Sequence, residues 1–379
     1  MTYGLTPAQQ MVRDITRRIT ENEFKPRAEE IDREHRFPVE NMELLKKLGY
    51  WGISYPKEYG GSGGDYLSYI IALEEIARYC ATTQVALSAH VSLACGPIFK
   101  YGTEEQKQKF LTPLCKGNMF GAFGLTESDA GTDAASQKTV AVLDGNEWVL
   151  NGTKVFITNA NYADLFIIFA MSDRTKGTKG ISAYIVPRSA KGFSIGKIED
   201  KLGICGSNTG ELILQDVRIP KDNILGKEGM GFKIAMNTLD GGRIGIAAQA
   251  LGIAQGALDE SVKYVKERSQ FGRPIGSFQG LQWYIAEMAT KTEASRLLIY
   301  NAARLKDAGM AHDKEAAMAK YFASETATFV AHKAIQLFGG YGYTKDYPIE
   351  RMYRDARITE IYEGTTEVQK MVIAANTLK

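Results

Sequence analysis

Thr139-Val140-Ala141-Val142-Leu143, Glu147-Trp148-Val149-Leu150 and Ala163-Asp164-Leu165-Phe166-Ile167-Ile168-Phe169 form an island of short β-branched and aromatic runs. Turn residues Asp144-Gly145-Asn146 and Asn151-Gly152 punctuate them, and Ile181-Ser182-Ala183-Tyr184-Ile185-Val186 and Glu211-Leu212-Ile213-Leu214 continue the pattern. The island begins near Gly121 and fades after Pro220, which sizes a β domain of roughly a hundred residues.

On both sides the apolar residues recur at helical spacing. Upstream they run Met11, Ile15, Ile19, then Met42, Leu45, Leu48, then Ile70, Ile71, Leu73, Ile76. Thr103-Glu104-Glu105-Gln106 has the form of a capping box. Downstream, residues 231–267, 277–308 and 312–338 read as long helices with few breaks, the pattern of an antiparallel bundle. The fold expected is α+β: an N-terminal helical domain (1–120), a middle antiparallel β domain (121–225) and a C-terminal four-helix bundle (226–379).

Composition narrows the function. With 46 Lys plus Arg against 44 Asp plus Glu, the net charge of +2 gives no broad field for nucleic acid or an anionic membrane. No apolar run is long enough to span a bilayer. The four cysteines and four histidines lack metal-ligand spacing, so no metal is expected, and reduced thiols fit a cytoplasmic location.

Several segments invite chemistry. Gly60-Gly61-Ser62-Gly63-Gly64 lacks the context of a dinucleotide fingerprint and reads as a plain loop. Phe123-Gly124-Leu125-Thr126-Glu127 leads into a polar loop ending Ala130-Gly131-Thr132-Asp133, and Lys154-Val155-Phe156-Ile157-Thr158-Asn159 offers an aromatic face and a hydroxyl on a strand; together they suggest a flavin clamp. Arg268, at a helix end before Gln270-Phe271-Gly272, has the planar fork suited to a diphosphate, or simply complements the helix dipole. Gln336-Leu337-Phe338-Gly339-Gly340 closes a helix with more glycine than a cap requires. Asp240-Gly241-Gly242-Arg243 places two glycines inside a helix, at about 1 kcal/mol each relative to alanine. Tyr362-Glu363-Gly364-Thr365 is either a turn into a helix cap or a carboxylate base held between a ring and a glycine.

In this order the segments resemble the acyl-CoA dehydrogenase family, and most closely its short-chain, butyryl-CoA-dehydrogenase-like branch, over essentially the whole chain. The resemblance implies an FAD enzyme of fatty acid β-oxidation, assembled as a homotetramer and passing electrons to an electron-transferring flavoprotein. By motif, Phe123, Leu125, Thr126, Phe156 and Thr158 would meet the flavin ring, with Thr132 on the substrate side. Arg268, Gln270, Phe271, Phe278 and Gln279, with Gln336, Gly339 and Gly340 from a neighbouring subunit, would hold the adenine and diphosphate. Thr365 and Glu367 would complete the FAD site. Asp240 and Arg243 would contact the CoA moiety, with Tyr362 and Gly364 beside the thioester.

The resemblance makes Glu363 the base that takes the α-proton while the β-hydride passes to flavin N5, giving a 2-enoyl-CoA. Relatives with a base on another helix carry it at the position of Gly242, where glycine cannot serve. The acyl pocket would be lined by Val85, Ala86, Ala89, His90 and Leu93, opposite Tyr362. Gln84 stands where glutaryl-CoA-oxidising relatives carry an arginine, which disfavours a dicarboxyl substrate. His90 is weighed as a pocket contact or a structural histidine. Cys205 replaces an arginine common in relatives. The alternatives are the enoyl-CoA reductase direction, an oxidase, a cyclic or other acyl-CoA substrate, and a non-redox acyl-CoA-binding protein.

Overall fold

A computed structural model describes residues 3–379. The helix Pro7–Ile19 starts with a capping box in which Thr6 and Gln9 satisfy each other's backbone N–H groups. Its inward face is unlike the stripe read from the sequence: Met11 is exposed, and the buried positions are Gln9 and Thr16. Each is buried with a partner, Gln9 Nε2 donating to Asp65 and Thr16 Oγ1 sharing a hydrogen bond with Tyr50. The capping box expected at Thr103 is present. Between them run the helices Tyr66–Ala77 and Ala81–Ser88, wholly or almost wholly buried. The glycine loop after Glu58 is held down by N–H bonds from Gly61, Ser62, Gly63 and Gly64 to carbonyls of residues 52–56. A Cβ at Gly61 would collide with the Tyr55 and Gly52 carbonyls, so close backbone approach explains the glycine there.

The middle of the chain is a sheet ordered β6-β7-β3-β2-β4-β5-β8, with β1 beside β4. Its strands are β1 (Gly121–Gly124), β2 (Val140–Asp144), β3 (Glu147–Thr158), β4 (Leu165–Met171), β5 (Ile181–Pro187), β6 (Phe193–Ile198), β7 (Thr209–Pro220) and β8 (Ile224–Leu225). Most pairs are antiparallel, but β1 runs parallel to β4 and so feeds the chain from the helical domain into the sheet. Asn151-Gly152 is not a turn. It is an irregularity within β3, where the register against β7 shifts and Asn151 exchanges hydrogen bonds with Asp216.

The 37-residue helix Gly231–Glu267 packs against Gln279–Asp307, Asp313–Phe338 and, across the domain boundary, Tyr66–Ala77. Thr366–Thr377 completes the bundle on Asp313–Phe338. Its inner positions are dominated by small residues, including Ala247, Ala248, Ala250, Ala254 and Ala257 facing Ala316, Ala319, Ala323 and Ala327 in one core. Small side chains allow the helix axes to approach closely. Among the described residues no helix is long and apolar enough to cross a membrane.

Candidate active site

The turn between Ile349–Ile358 and Thr366–Thr377 carries Glu363 in a left-handed conformation, φ 52°, followed by Gly364 at φ 91°. A non-glycine residue there stores strain and is held by its surroundings. Four bonds do the holding. Thr366 N–H donates to Glu360 O at 3.0 Å, Gln369 Nε2 donates to the carbonyls of Glu363 at 3.2 Å and Gly364 at 2.8 Å, and Lys320 Nζ donates to Gly364 O at 2.6 Å.

The strained turn delivers the Glu363 carboxylate onto Gly242 of the long helix. A Cβ at Gly242 would collide with Glu363 Oε2 and lie 3.0 Å from Leu93 Cδ2, so the carboxylate occupies the notch the glycine leaves, beside the Ala89–Cys95 segment. The residue as a whole has intermediate exposure, yet Oε2 is out of solvent contact and has no hydrogen-bond partner among the described residues. Burial pushes its pKa up to about 7, against the pull of Lys320 and Arg243. The Glu363 backbone N–H also has no acceptor among the described residues.

Neighbouring side chains converge on this carboxylate. The Tyr362 hydroxyl donates to Gln249 Oε1, and Gln249 Nε2 donates to Ala81 O at 3.0 Å, which ties the turn to the apolar helix Ala81–Ser88. Asp240 and Arg243 form a half-buried pair at 2.6 Å that leaves Arg243 Nε without a partner among the described residues. Thr365 caps Thr366–Thr377 by accepting from Val368 N–H at 3.4 Å, and Glu367 is exposed in the first turn. His90 is fully engaged elsewhere: Nδ1 accepts from Gly121 N–H at 3.0 Å, and burial pushes its pKa down to about 3. It is a neutral structural histidine rather than a pocket contact.

A second group of the expected residues lies on the sheet. Thr126 O accepts from Val155 N–H at 2.9 Å, setting the loop after β1 along the end of β3 and bringing Phe123, Leu125 and Thr126 to Phe156 and Thr158. Phe156 sits at the second irregularity of β3, at φ 58°, and its ring is 63% exposed. A large aromatic turned out to solvent by a bulge suits a flat ligand. Thr132 lies exposed farther along the loop.

The sequence motifs did not identify what fastens this loop. Lys154, wholly buried, donates to Leu125 O at 3.0 Å, Glu127 Oε1 at 2.7 Å and Gln137 Oε1 at 3.2 Å. Glu127 also accepts from the N–H groups of Lys138 and Thr139. Lysine among strand residues, 27 positions after a glutamate in a polar loop, was the available signal. Asn159, also buried, joins β3 to the helical domain by donating to Ala86 O at 3.0 Å.

The third group lines a groove of about 490 Å³ at the end of the bundle, where Arg268, Gln270, Gly339 and Gly340 meet Tyr264, Phe338 and Tyr341. Arg268 has no carboxylate partner among the described residues and lies 5.9 Å from the Tyr341 ring. A Cβ at Gly339 or Gly340 would meet nothing within 4 Å, so that wall is open. Phe271, Phe278, Gln279 and Gln336 do not line the groove: Phe271 projects outward at 93% exposure, edge-on to Phe278, and the Gln279 and Gln336 side chains are exposed. Cys205 is remote in role, its thiol donating to Lys201 O at 3.4 Å beside the Asp32–Arg354 ion pair.

The chain matches the three domain descriptions of one family: acyl-CoA dehydrogenase N-terminal domain over residues 6–118, middle domain over 122–217 and C-terminal domain over 229–378. It is 60% identical to the short-chain-specific acyl-CoA dehydrogenase of Clostridium acetobutylicum, covering 99% of both chains. It is 56% identical to the acryloyl-CoA reductase (NADH) of Anaerotignum propionicum, over 100% of this chain and 96% of that protein. The solved structure of butyryl-CoA dehydrogenase from Megasphaera elsdenii superimposes with a TM-score of 0.98 at 49% identity, covering 100% of both chains.

Proposed function

The chain belongs to the acyl-CoA dehydrogenase family, and from that premise we propose that it is an FAD-dependent dehydrogenase of short, unbranched acyl-CoA thioesters of about butyryl size, with Glu363 as the base. One observation carries the reading: a buried carboxylate oxygen with no partner, seated in the notch of Gly242 and poised near neutrality. An ordinary carboxylate near pKa 4 is a feeble base toward carbon, so the raised value matters.

The residues present fit the flavin. The exposed Phe156 ring and the adjoining Thr126 and Thr158 suit the ring system, and the groove with unpaired Arg268 and open glycines suits an adenine and diphosphate. When bound, the flavin supplies the hydride acceptor. Glu363 takes the α-proton, and its free backbone N–H is available to the thioester oxygen, where negative charge develops. Tyr362, fixed by Gln249, closes the site against water. Arg243, with Asp240 as counter-ion, keeps an unused donor for the CoA arm.

A short straight chain is supported by the apolar Val85, Ala86, Ala89 and Leu93. Gln84 supports it too, because its Nε2 is committed to Gly245 O at 3.1 Å and it brings no cation for a second carboxylate. Homotetramer assembly is supported by the outward Phe271, Tyr343 and Trp283, at 93%, 89% and 61% exposure. Family membership supports an electron-transferring flavoprotein as acceptor. The reductase direction is the second reading, favoured by the 56% identity to the acryloyl-CoA reductase.

The deciding experiment is anaerobic addition of a panel of acyl-CoAs to the purified holoprotein. Rapid bleaching of the flavin by butyryl-CoA, slower by longer chains and absent with glutaryl-CoA, is expected. A colourless protein, or a flavin that no acyl-CoA reduces, would overturn the dehydrogenase reading.

A further inference from the structure

The charged groups facing the Glu363 carboxylate are Lys320, from the helix Asp313–Phe338, and Arg243, from the long helix; the Tyr362, Tyr66 and Tyr69 hydroxyls also stand in its field. Arg243 is paired with Asp240. Lys320 is different. Its side chain is fully buried, and among the described residues its only hydrogen bond is to the Gly364 carbonyl at 2.6 Å, with no carboxylate within ion-pair distance. The charges around it are those of Glu363, Arg243, Glu360 and Glu367. Burying an ammonium without a bonded anion is costly, and burial pushes the Lys320 pKa down to about 8, so it carries its charge at pH 7 and sheds it toward pH 9; a methionine would fill the same space without that cost.

Two effects on the base offset the cost. Lys320 and Gln369 both donate to Gly364 O, the carbonyl that follows the left-handed Glu363. Loss of the lysine leaves Gln369 alone on that carbonyl and weakens the hold on the turn that seats the carboxylate on Gly242. The ammonium also places positive charge close to the carboxylate while its hydrogen bond goes to Gly364 O.

We propose that Lys320 is a positioning residue for the base: its buried ammonium pins the Gly364 carbonyl, fixing the turn that seats Glu363 on Gly242, and its charge favours the ionised carboxylate. The inference rests on the dehydrogenase reading above. The charge effect has a definite sign. Removing the cation raises the pH at which Glu363 ionises, so the rising limb of the pH profile moves upward.

Three holoenzyme variants test it: Lys320→Met removes donor and charge, Lys320→Gln removes the charge but keeps a donor, and Lys320→Arg keeps both. Flavin reduction by butyryl-CoA is followed anaerobically from pH 5.5 to 9, with substrate affinity measured separately. The rising limb is expected to move up by about one unit in Lys320→Met and Lys320→Gln but not in Lys320→Arg. The limiting rate at pH 7 should fall roughly a hundredfold in Lys320→Met, with affinity changed only a few-fold. A limb that stays in place in Lys320→Met or Lys320→Gln overturns the proposal. If Lys320→Met fails to fold, the Gln and Arg variants carry the comparison. A readout independent of turnover is the infrared carboxyl band that disappears in Glu363→Gln, titrated in each Lys320 variant. A wild type that no acyl-CoA bleaches sinks the dehydrogenase reading, while the band still reports whether Lys320 governs the ionisation of Glu363.

Discussion

Two buried lysines in this molecule each sit near a glutamate, and the outcomes are opposite. Lys154 bonds directly to Glu127 at 2.7 Å; burial pushes that carboxyl up, but the lysine and two backbone N–H groups outweigh it and hold Glu127 below its usual range. Lys320 bonds to a carbonyl instead, leaving Glu363 Oε2 unpartnered and pushed up to about 7. A closed pair is a fastener, whereas a carboxylate with a cation nearby but not bonded to it keeps its basicity. The largest test of the contrast is Glu363→Gln. It should retain flavin and acyl-CoA binding and lose flavin reduction by at least about a thousandfold, read by anaerobic stopped flow. Near-normal reduction would remove Glu363 as the base.

The matching change on the other side is Lys154→Met. It strands Glu127 in the interior, which is expected to destabilise the protein by about 3–5 kcal/mol and to loosen the loop from Leu125 onward. Thermal unfolding of the flavin-free protein measures it. Adding Glu127→Gln should recover part of the loss, because the uncompensated charge goes with it. A single variant as stable as wild type would show that the pair is not a fastener.

The two pairs also differ in how far the sequence disclosed them. Glu363 was visible because Tyr362-Glu363-Gly364-Thr365 combines a ring, a carboxylate and a glycine, and the helix-cap reading holds beside it, with Thr365 capping the helix that follows. The long helices were legible from period alone, since residues 231–267 carry their apolar and small positions without a break. Lys154 and Lys320 were not legible. Each satisfies carbonyls or side chains 17 to 44 positions away, and no local pattern encodes such a partner. Asn151-Gly152 misled for a related reason: its geometry answers Asp216 across the sheet, 65 positions away. Gly242 announced that something approaches the helix, but only the folded chain shows that it is the Glu363 carboxylate.

Gly242→Ala sharpens this point with a smaller effect. In an exposed helix interior the change would stabilise by about 1 kcal/mol. Here the new methyl group takes the place of Glu363 Oε2, so the carboxylate must retreat. Flavin reduction should slow roughly a hundredfold, as expected for a misplaced base, while flavin content stays normal. Unchanged reduction would mean that the base reaches its substrate from some other position.

The smallest expected effect is on stability, and it separates the two glutamates by the sign of their pH dependence. The folded protein holds the Glu363 proton up to about pH 7, whereas an unfolded chain releases it near the ordinary carboxyl value of 4.5. Between those values the native state binds the extra proton, so the contribution of Glu363 to stability falls as pH rises. Glu127 has the opposite slope: its folded pKa is depressed, so its contribution is present above the unfolded value and is lost as pH falls through the folded one. Glu363→Gln is neutral at every pH and escapes the first loss. Its melting temperature should match wild type at pH 4 and exceed it by a degree or two, to order of magnitude, at pH 8. Melting curves of the two flavin-free proteins across that range check the prediction. A constant offset between them would mean that the Glu363 proton is not held more tightly in the folded state.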